Sequence, residues 1–150
     1  MKSFVFQSAV ASSLLSYALA QSDTYPDYCY NTNCQSYGID FQNGGTYFQN
    51  ILSTDPFTAL ETFTGCQNDT SFNVLIDPDG YQYDCTKTNM QPDSLPELTT
   101  CSLNKNQLWS GDWSVLAYSN NGECQPINFE RDFVLNVATQ ATLTVTPTGK

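Results

Sequence analysis

Apolar and polar positions alternate through most of this chain, in short stretches separated by turn-forming residues. In NFERDFVLNV (128–137), Phe129, Phe133, Leu135 and Val137 fall on one face, with Glu130 and Asp132 on the other. That is the period of a half-buried strand, and it predicts one over Ile127–Ala138. WSVLAYS predicts another, Trp113–Ser119, with Trp113, Val115 and Ala117 sharing the core face. A turn at Asn120-Asn121-Gly122 joins the two. SFNVLIDPDGYQYDC is the clearest hairpin: Val74–Ile76, a turn at Asp77-Pro78-Asp79-Gly80, then Tyr81–Cys85. Asp first, Pro second and Gly fourth is the residue order of a type I turn.

The remaining segments are plainer. Ile39–Tyr47 predicts a strand, a bend at Asn43-Gly44-Gly45 and the start of a second strand, which Asp55-Pro56-Phe57 breaks off. Thr58–Thr64 suits a helical turn or a strand equally. Asp93–Leu98 predicts a short helical piece capped by Asp93 or Ser94, inside the loop from Cys85 to Cys101. Many short strands without a long helical period predict an all-β protein. The expected architecture is an antiparallel β-sandwich, with immunoglobulin-like topology left open and at most one or two short helical turns.

The first 20 residues, MKSFVFQSAVASSLLSYALA, have a basic start, an apolar run and a small-residue end at Ala18-Leu19-Ala20. They read as a secretory signal peptide removed from the mature protein. The expected organisation is a leader (1–20), an irregular Cys/Tyr-rich lead-in (21–38), a single β-sandwich domain (39–138) and a Thr-rich tail (139–150). In the tail, Thr142–Thr146 alternates before Pro147, as an edge strand or the start of a glycosylated stalk would. Apart from the leader, no segment is apolar enough to span a bilayer.

Fifteen acidic residues against five basic ones leave a net charge of −10. Repulsion excludes nucleic acid and anionic lipid as natural partners. It favours solubility, a monomer, and cationic partners such as a basic peptide or deacetylated chitosan. All six cysteines (Cys29, Cys34, Cys66, Cys85, Cys101 and Cys124) lie beyond the leader, and an even count in a secreted domain predicts three disulfides. Spacing suggests Cys85–Cys101 and, as a second local pair, Cys29–Cys34.

There is no histidine, which excludes Ser-His-Asp and Cys-His catalysis and histidine-based metal sites. No glycine-rich phosphate loop succeeds a strand, so no cofactor is expected. Carboxylate chemistry remains, as in a glycoside hydrolase. Yet Asp77 and Asp79 are better explained by turn chemistry, and Glu130 and Asp132 by a solvated strand face. DPDGYQYD lacks the ligand spacing of a helical calcium hand, and a looser site at Asp77, Asp79 and Asp84 is the weaker reading, so no metal is expected. Asn68-Asp69-Thr70 is a glycosylation sequon.

LWSGDWSVLAYSNNG (108–122) is the densest stretch of binding-type residues. Trp113 is assigned to the core, whereas Trp109, before Gly111, is a candidate for exposure. With Tyr81 and Tyr83 it is the candidate glycan-stacking set. Arg131, the one arginine, falls on the core face with Phe129 and Phe133 and needs a partner there. A tight turn at 120–123 would set Ser119 against Cys124 and Asp112 against Arg131. The expectation is therefore an Asp112–Arg131 ion pair, or Arg131 stacked on Trp109 or Trp113.

Five runs together carry a family likeness: YGIDFQNGGTYFQN (37–50), DPFTALETFTGCQNDT (55–70), LIDPDGYQYDC (75–85), LWSGDWSVLAYSNNG (108–122) and NFERDFVLNV (128–137). They resemble the N-terminal domain of a group of fungal secreted proteins of uncharacterised function, small β-sandwiches often followed by Thr/Ser/Pro-rich stalks. The likeness covers about 37–146. It implies a fungal source and an extracellular role at the wall or toward a host, and it implies no catalytic residues. The expected function is a non-enzymatic secreted domain, wall-associated or effector-like, whose partner is a cell-wall glycan or a host or extracellular protein. The alternative is a carbohydrate-binding module or, further off, a two-carboxylate hydrolase.

Overall fold

The structure, a computed structural model, describes residues 25–29 and 33–141; the leader and Thr142–Thr146 lie outside the described residues. Among the described residues nine strands form two facing sheets, the all-β sandwich that the alternation predicts. The strands are β1 (Gln35–Gly38), β2 (Gly45–Asn50), β3 (Pro56–Thr64), β4 (Thr70–Ile76), β5 (Gln82–Asp84), β6 (Thr88–Asn89), β7 (Glu97–Asn104), β8 (Gly111–Ser119) and β9 (Ile127–Ala138). The smaller sheet runs β1-β3-β7; the larger runs β2-β9-β8-β4-β5, with β6 also on β4. Pairing is antiparallel except between β2 and β9, which run parallel. Among the described residues the helical content is two short 3-10 turns, Asp27–Cys29 and Lys105–Gln107.

The core is divided. One apolar cluster joins Phe57, Ala59 and Leu103 of the small sheet to Leu75, Trp113, Val115, Phe133 and Leu135 of the large one. A second, smaller cluster holds Phe63, Cys66, Met90 and Ala117. Buried polar residues lie between the two on both sheets. On β3 the inward series is Phe57, Ala59, Glu61, Phe63; on β9 it is Leu135, Phe133, Arg131. On the inward face of β4 Asn73 precedes Leu75, and on β7 Thr99 precedes Cys101. A polar layer thus lies across the sandwich between two apolar ends.

Three disulfides tie the chain: Cys29–Cys124, Cys34–Cys66 and Cys85–Cys101, with sequence separations of 95, 32 and 16. The last is the pair that spacing suggests, and it closes β5 onto β7. The expected Cys29–Cys34 pair does not form. Gln35 lies opposite Thr64, so Cys34 is set beside Cys66 just past the end of β3. Cys29 instead holds the β8–β9 connection through Cys124, closing a loop long enough to contribute about 4–5 kcal/mol in the chain-entropy account.

Several boundaries shift. The first strand is Gln35–Gly38, inside the segment expected to be irregular, and residues 39–44 make the bend. Thr58–Thr64 is strand. Asp93–Leu98 is not helical: the Asp93 carboxylate accepts a hydrogen bond from the Gly65 amide (3.2 Å), and β7 begins at Glu97. The β8–β9 connection spans 120–126, so Ser119 lies opposite Ile127 and not Cys124.

Candidate functional site

At the WSGDW stretch, Trp113 is 1% exposed and Trp109 is 37% exposed. Their rings lie 4.9 Å apart at 59°, and the Trp113 indole N–H donates to the Trp109 carbonyl (3.0 Å). Trp109 is therefore a half-covered lid on the core tryptophan. Glycine is required at 111 because the backbone there passes against the hairpin turn, where a Cβ would lie 2.7 Å from Pro78 Cγ.

The carboxylate of Asp77, 4% exposed, organises that turn. It accepts from the Asp79 and Tyr81 amides (both 2.9 Å) and from the Tyr83 hydroxyl (2.9 Å). Gly80 N–H donates to the Asp77 carbonyl (2.9 Å), the closing bond of the expected turn. Both carboxylate oxygens of Asp77 are thus engaged in holding the turn, and the bond from Tyr83 raises the Tyr83 hydroxyl pKa. Tyr83 packs on the core opposite Leu75, whereas Tyr81 is 69% exposed. Trp109, Tyr81 and Tyr83 are not equivalent members of one flat exposed row.

Arg131 is inward-facing and buried, as the alternation predicts, but its partner is Glu61 of β3. Nη2 lies 3.1 Å from Glu61 Oε2, and Nη1 donates to Ser36 Oγ of β1 (3.0 Å). The expected Asp112 pair is wrong for a geometric reason. Directly opposed residues of antiparallel strands share a face, and Trp113 and Val115 already occupy the inner one. Arg131 therefore opposes Val115, while exposed Asp112 opposes Val134. The tryptophans are not its partners either.

From Glu61 the polar layer continues. Thr88 donates to Glu61 Oε1 (2.7 Å), Asn73 Nδ2 to Thr88 Oγ1 (2.9 Å), and Ser71 to Asn73 Oδ1 (3.0 Å). Arg131 Nε alone is left without a partner among buried side-chain atoms of the described residues. Gly38 has no Cβ because one would meet Arg131 Cδ at 2.5 Å. Glu61, Asn73, Thr88 and Ser36 are not among the residues that the sequence singles out. A signal is present at Glu61 all the same: in PFTALETFT the period-two core series places an acid between Ala59 and Phe63.

At the β3–β4 turn, Asp69 accepts from Ser119 Oγ (2.6 Å) and the amides of Gly122 (3.0 Å) and Thr70 (2.7 Å). Burial works against its charge, but these hydrogen bonds and that of Asn121 outweigh it and hold its pKa below the usual 3.8. Asn68 beside it is exposed.

The outer face of the large sheet is less polar than a solvated face needs to be. Phe72 and Tyr118, directly opposed and each 41% exposed, stack with centroids 5.4 Å apart at 14°. Lys87 Nζ sits 3.9 Å over the Phe72 ring. A hollow of about 290 Å³ opens there, lined by Phe72, Val74, Asp84, Lys87 and Tyr118 among others. A second, of about 300 Å³, lies beside Cys29 and Cys34, and its described lining of amides and apolar groups carries no acid or base. Glu130 and Asp132 are exposed on the outer face, where the alternation puts them. No group of histidines, cysteines and carboxylates able to hold a metal occurs among the described residues.

No protein-family model matches this chain, and no curated protein matches it. Among solved structures, CopC from Methylosinus trichosporium OB3b is similar over 72% of this chain and 100% of that one, with 16% identity and a TM-score of 0.44. A likeness at that level says nothing about function.

Proposed function

We propose that this chain is a secreted, non-enzymatic interaction domain of a fungal extracellular protein, acting at the cell wall or toward a host surface. The observation that carries this reading is how the buried ionisable groups are used. Arg131 and Glu61 join the two sheets, and Asp77 closes a turn. None of them faces either hollow as a free acid or base. Three disulfides support an oxidising compartment, and no helix among the described residues is long and apolar enough to cross a membrane. Exposed Asn68 in its sequon would carry an N-glycan on the β3–β4 turn.

The test is incubation of the purified secreted chain with insoluble chitin, β-glucan and cellulose, reading both retention and released reducing sugar. Sugar release above a heat-inactivated control would overturn the non-enzymatic reading. Absence of release, with the chain recovered from the medium or wall fraction of its source, supports it. Half-exposed Trp109 favours a second reading, a carbohydrate-binding module. Retention on one polymer that falls at least tenfold in Trp109→Ala would select it.

A further inference from the structure

The strand register lays out the outer face of the large sheet in rows. One row reads Glu130–Leu116–Val74–Asp84 across β9, β8, β4 and β5. The row on one side reads Asn128–Tyr118–Phe72, and the row on the other Asp132–Ser114–Ile76–Gln82. An apolar strip therefore runs along β8 and β4, with Tyr118 and Phe72 exposed, Leu116 and Ile76 half-buried and Val74 buried as its floor. Carboxylates flank it: Glu130 and Asp132 on one side, Asp84 on the other. All three acids are exposed. Ser114 donates to Glu130 Oε1 (2.8 Å), which orients that carboxylate and leaves its other oxygen open.

Strands lie about 4.8 Å apart, so the two acidic banks are roughly 14 Å from each other. An α-helix with its side chains is about 10–12 Å across, which fits between them. The hollow beside Phe72, Tyr118 and Val74, about 290 Å³, is too small for most ligands but suits one bulky side chain. Lys87 already covers Phe72 at that corner, so partner cations belong along Glu130, Asp132 and Asp84. A second copy of this chain is the wrong occupant, because each copy carries a net charge of −10 and would present the same acids.

We propose that this face docks a cationic amphipathic helix, its apolar stripe on Tyr118, Phe72 and Leu116 and its lysines or arginines against the flanking carboxylates. The proposal rests on the interaction-domain reading and names that domain's partner class. Helix-in-groove recognition needs an apolar seam with flanking charge, and this face supplies both.

The test uses the full secreted chain and a fluorescein-labelled 18-residue peptide of leucine and lysine at helical spacing. A scrambled peptide of the same composition and a glucosamine hexamer serve as the other arms, with binding read by anisotropy at two salt concentrations. The amphipathic peptide is expected to bind at least tenfold tighter than the scrambled one. Tyr118→Ser with Phe72→Ser should weaken it at least tenfold. Glu130→Gln with Asp84→Asn should weaken it several-fold and flatten its salt dependence, with the thermal midpoint of that variant unchanged. Equal binding of both peptides, full binding by these variants, or binding of the glucosamine hexamer alone would overturn the proposal. Those outcomes leave the interaction-domain reading intact, since only released sugar bears against it.

Discussion

Glu130, Arg131 and Asp132 are consecutive, yet they live in different worlds. Arg131 is sealed between two sheets and bonded to Glu61 and Ser36, while its neighbours stand in solvent on the other side of the same strand. Period-two alternation alone separates them. The inner charge has been stripped of water and depends on its partner; the outer charges keep their hydration and depend on little. Sequence-adjacent charges can thus differ severalfold in what they contribute to the fold, and the difference can be measured.

The sharpest way to break the comparison is to remove the partner of the inner charge. Glu61→Ala leaves the buried guanidinium without its carboxylate, and the expected loss is about 3–5 kcal/mol. Arg131→Met alone should cost a similar amount by stranding Glu61. The double change Glu61→Leu with Arg131→Met should recover much of that loss, because an apolar pair of similar volume needs no compensation. Thr88 keeps its bond from Asn73 in that background. Urea unfolding of these variants and of Glu61→Leu alone, with the disulfides intact, decides the matter. Additive losses in the double variant would mean that the two residues are not a coupled pair.

Next in size is the backbone packed against Arg131. Gly38→Ala forces a methyl to within 2.5 Å of Arg131 Cδ, at the junction of β1 with the large sheet. Such overpacking costs about 1–3 kcal/mol. If the crowding is against this side chain, the cost shrinks when Gly38→Ala is made together with Arg131→Met. An unchanged cost would place the strain in the β1 backbone instead.

The same pattern governs how much of the molecule is legible in the sequence. Strands β8 and β9 declare themselves, because Trp113, Val115, Phe133 and Leu135 recur at every second place. Strand β7 hides because its inner series is Thr99, Cys101 and Leu103, only one of them strongly apolar. The core-facing position of Arg131 is legible for the same reason, but its partner is not. Glu61 stands 70 residues earlier in the chain, on the opposite sheet, and only the packing of sheet on sheet brings it near. Two inward charges of opposite sign, one in PFTALETFT and one in NFERDFVLNV, are nonetheless a matching rule that alternation exposes. The register of β8 on β9 is misjudged from sequence because Asn120-Asn121-Gly122 resembles a tight turn. Buried Asn121, whose Oδ1 accepts from the Gln67 amide (2.7 Å), and the Cys29–Cys124 disulfide make the connection longer.

A smaller effect is expected from Asp69, a charge between the two extremes, partly covered and fully hydrogen-bonded. Its pKa is depressed in the folded state, so its contribution is present above the ordinary value of 3.8 and lost as pH falls through the lower folded value. Asp69→Asn should therefore make the fall in urea midpoint between pH 5 and pH 2 shallower, and it leaves the Asn68 sequon intact. A slope identical to that of the unmodified chain would show that folding does not lower the pKa of Asp69.

The smallest effect belongs to the outer charges themselves. Asp132 engages Asn43 through its backbone amide (3.3 Å), a bond that Asp132→Asn retains. Glu130→Gln can still accept from Ser114 through its amide oxygen. In a chain of net charge −10, removing two exposed carboxylates also relieves repulsion, which offsets whatever the Ser114 bond loses. The pair of substitutions is expected to shift stability by no more than about 0.5 kcal/mol at neutral pH, in either direction. A loss approaching that of Glu61→Ala would mean that both sides of β9 carry structural charges. A null result on stability, coupled with weaker binding of a cationic helix, would assign the outer carboxylates to recognition and the inner pair to the fold.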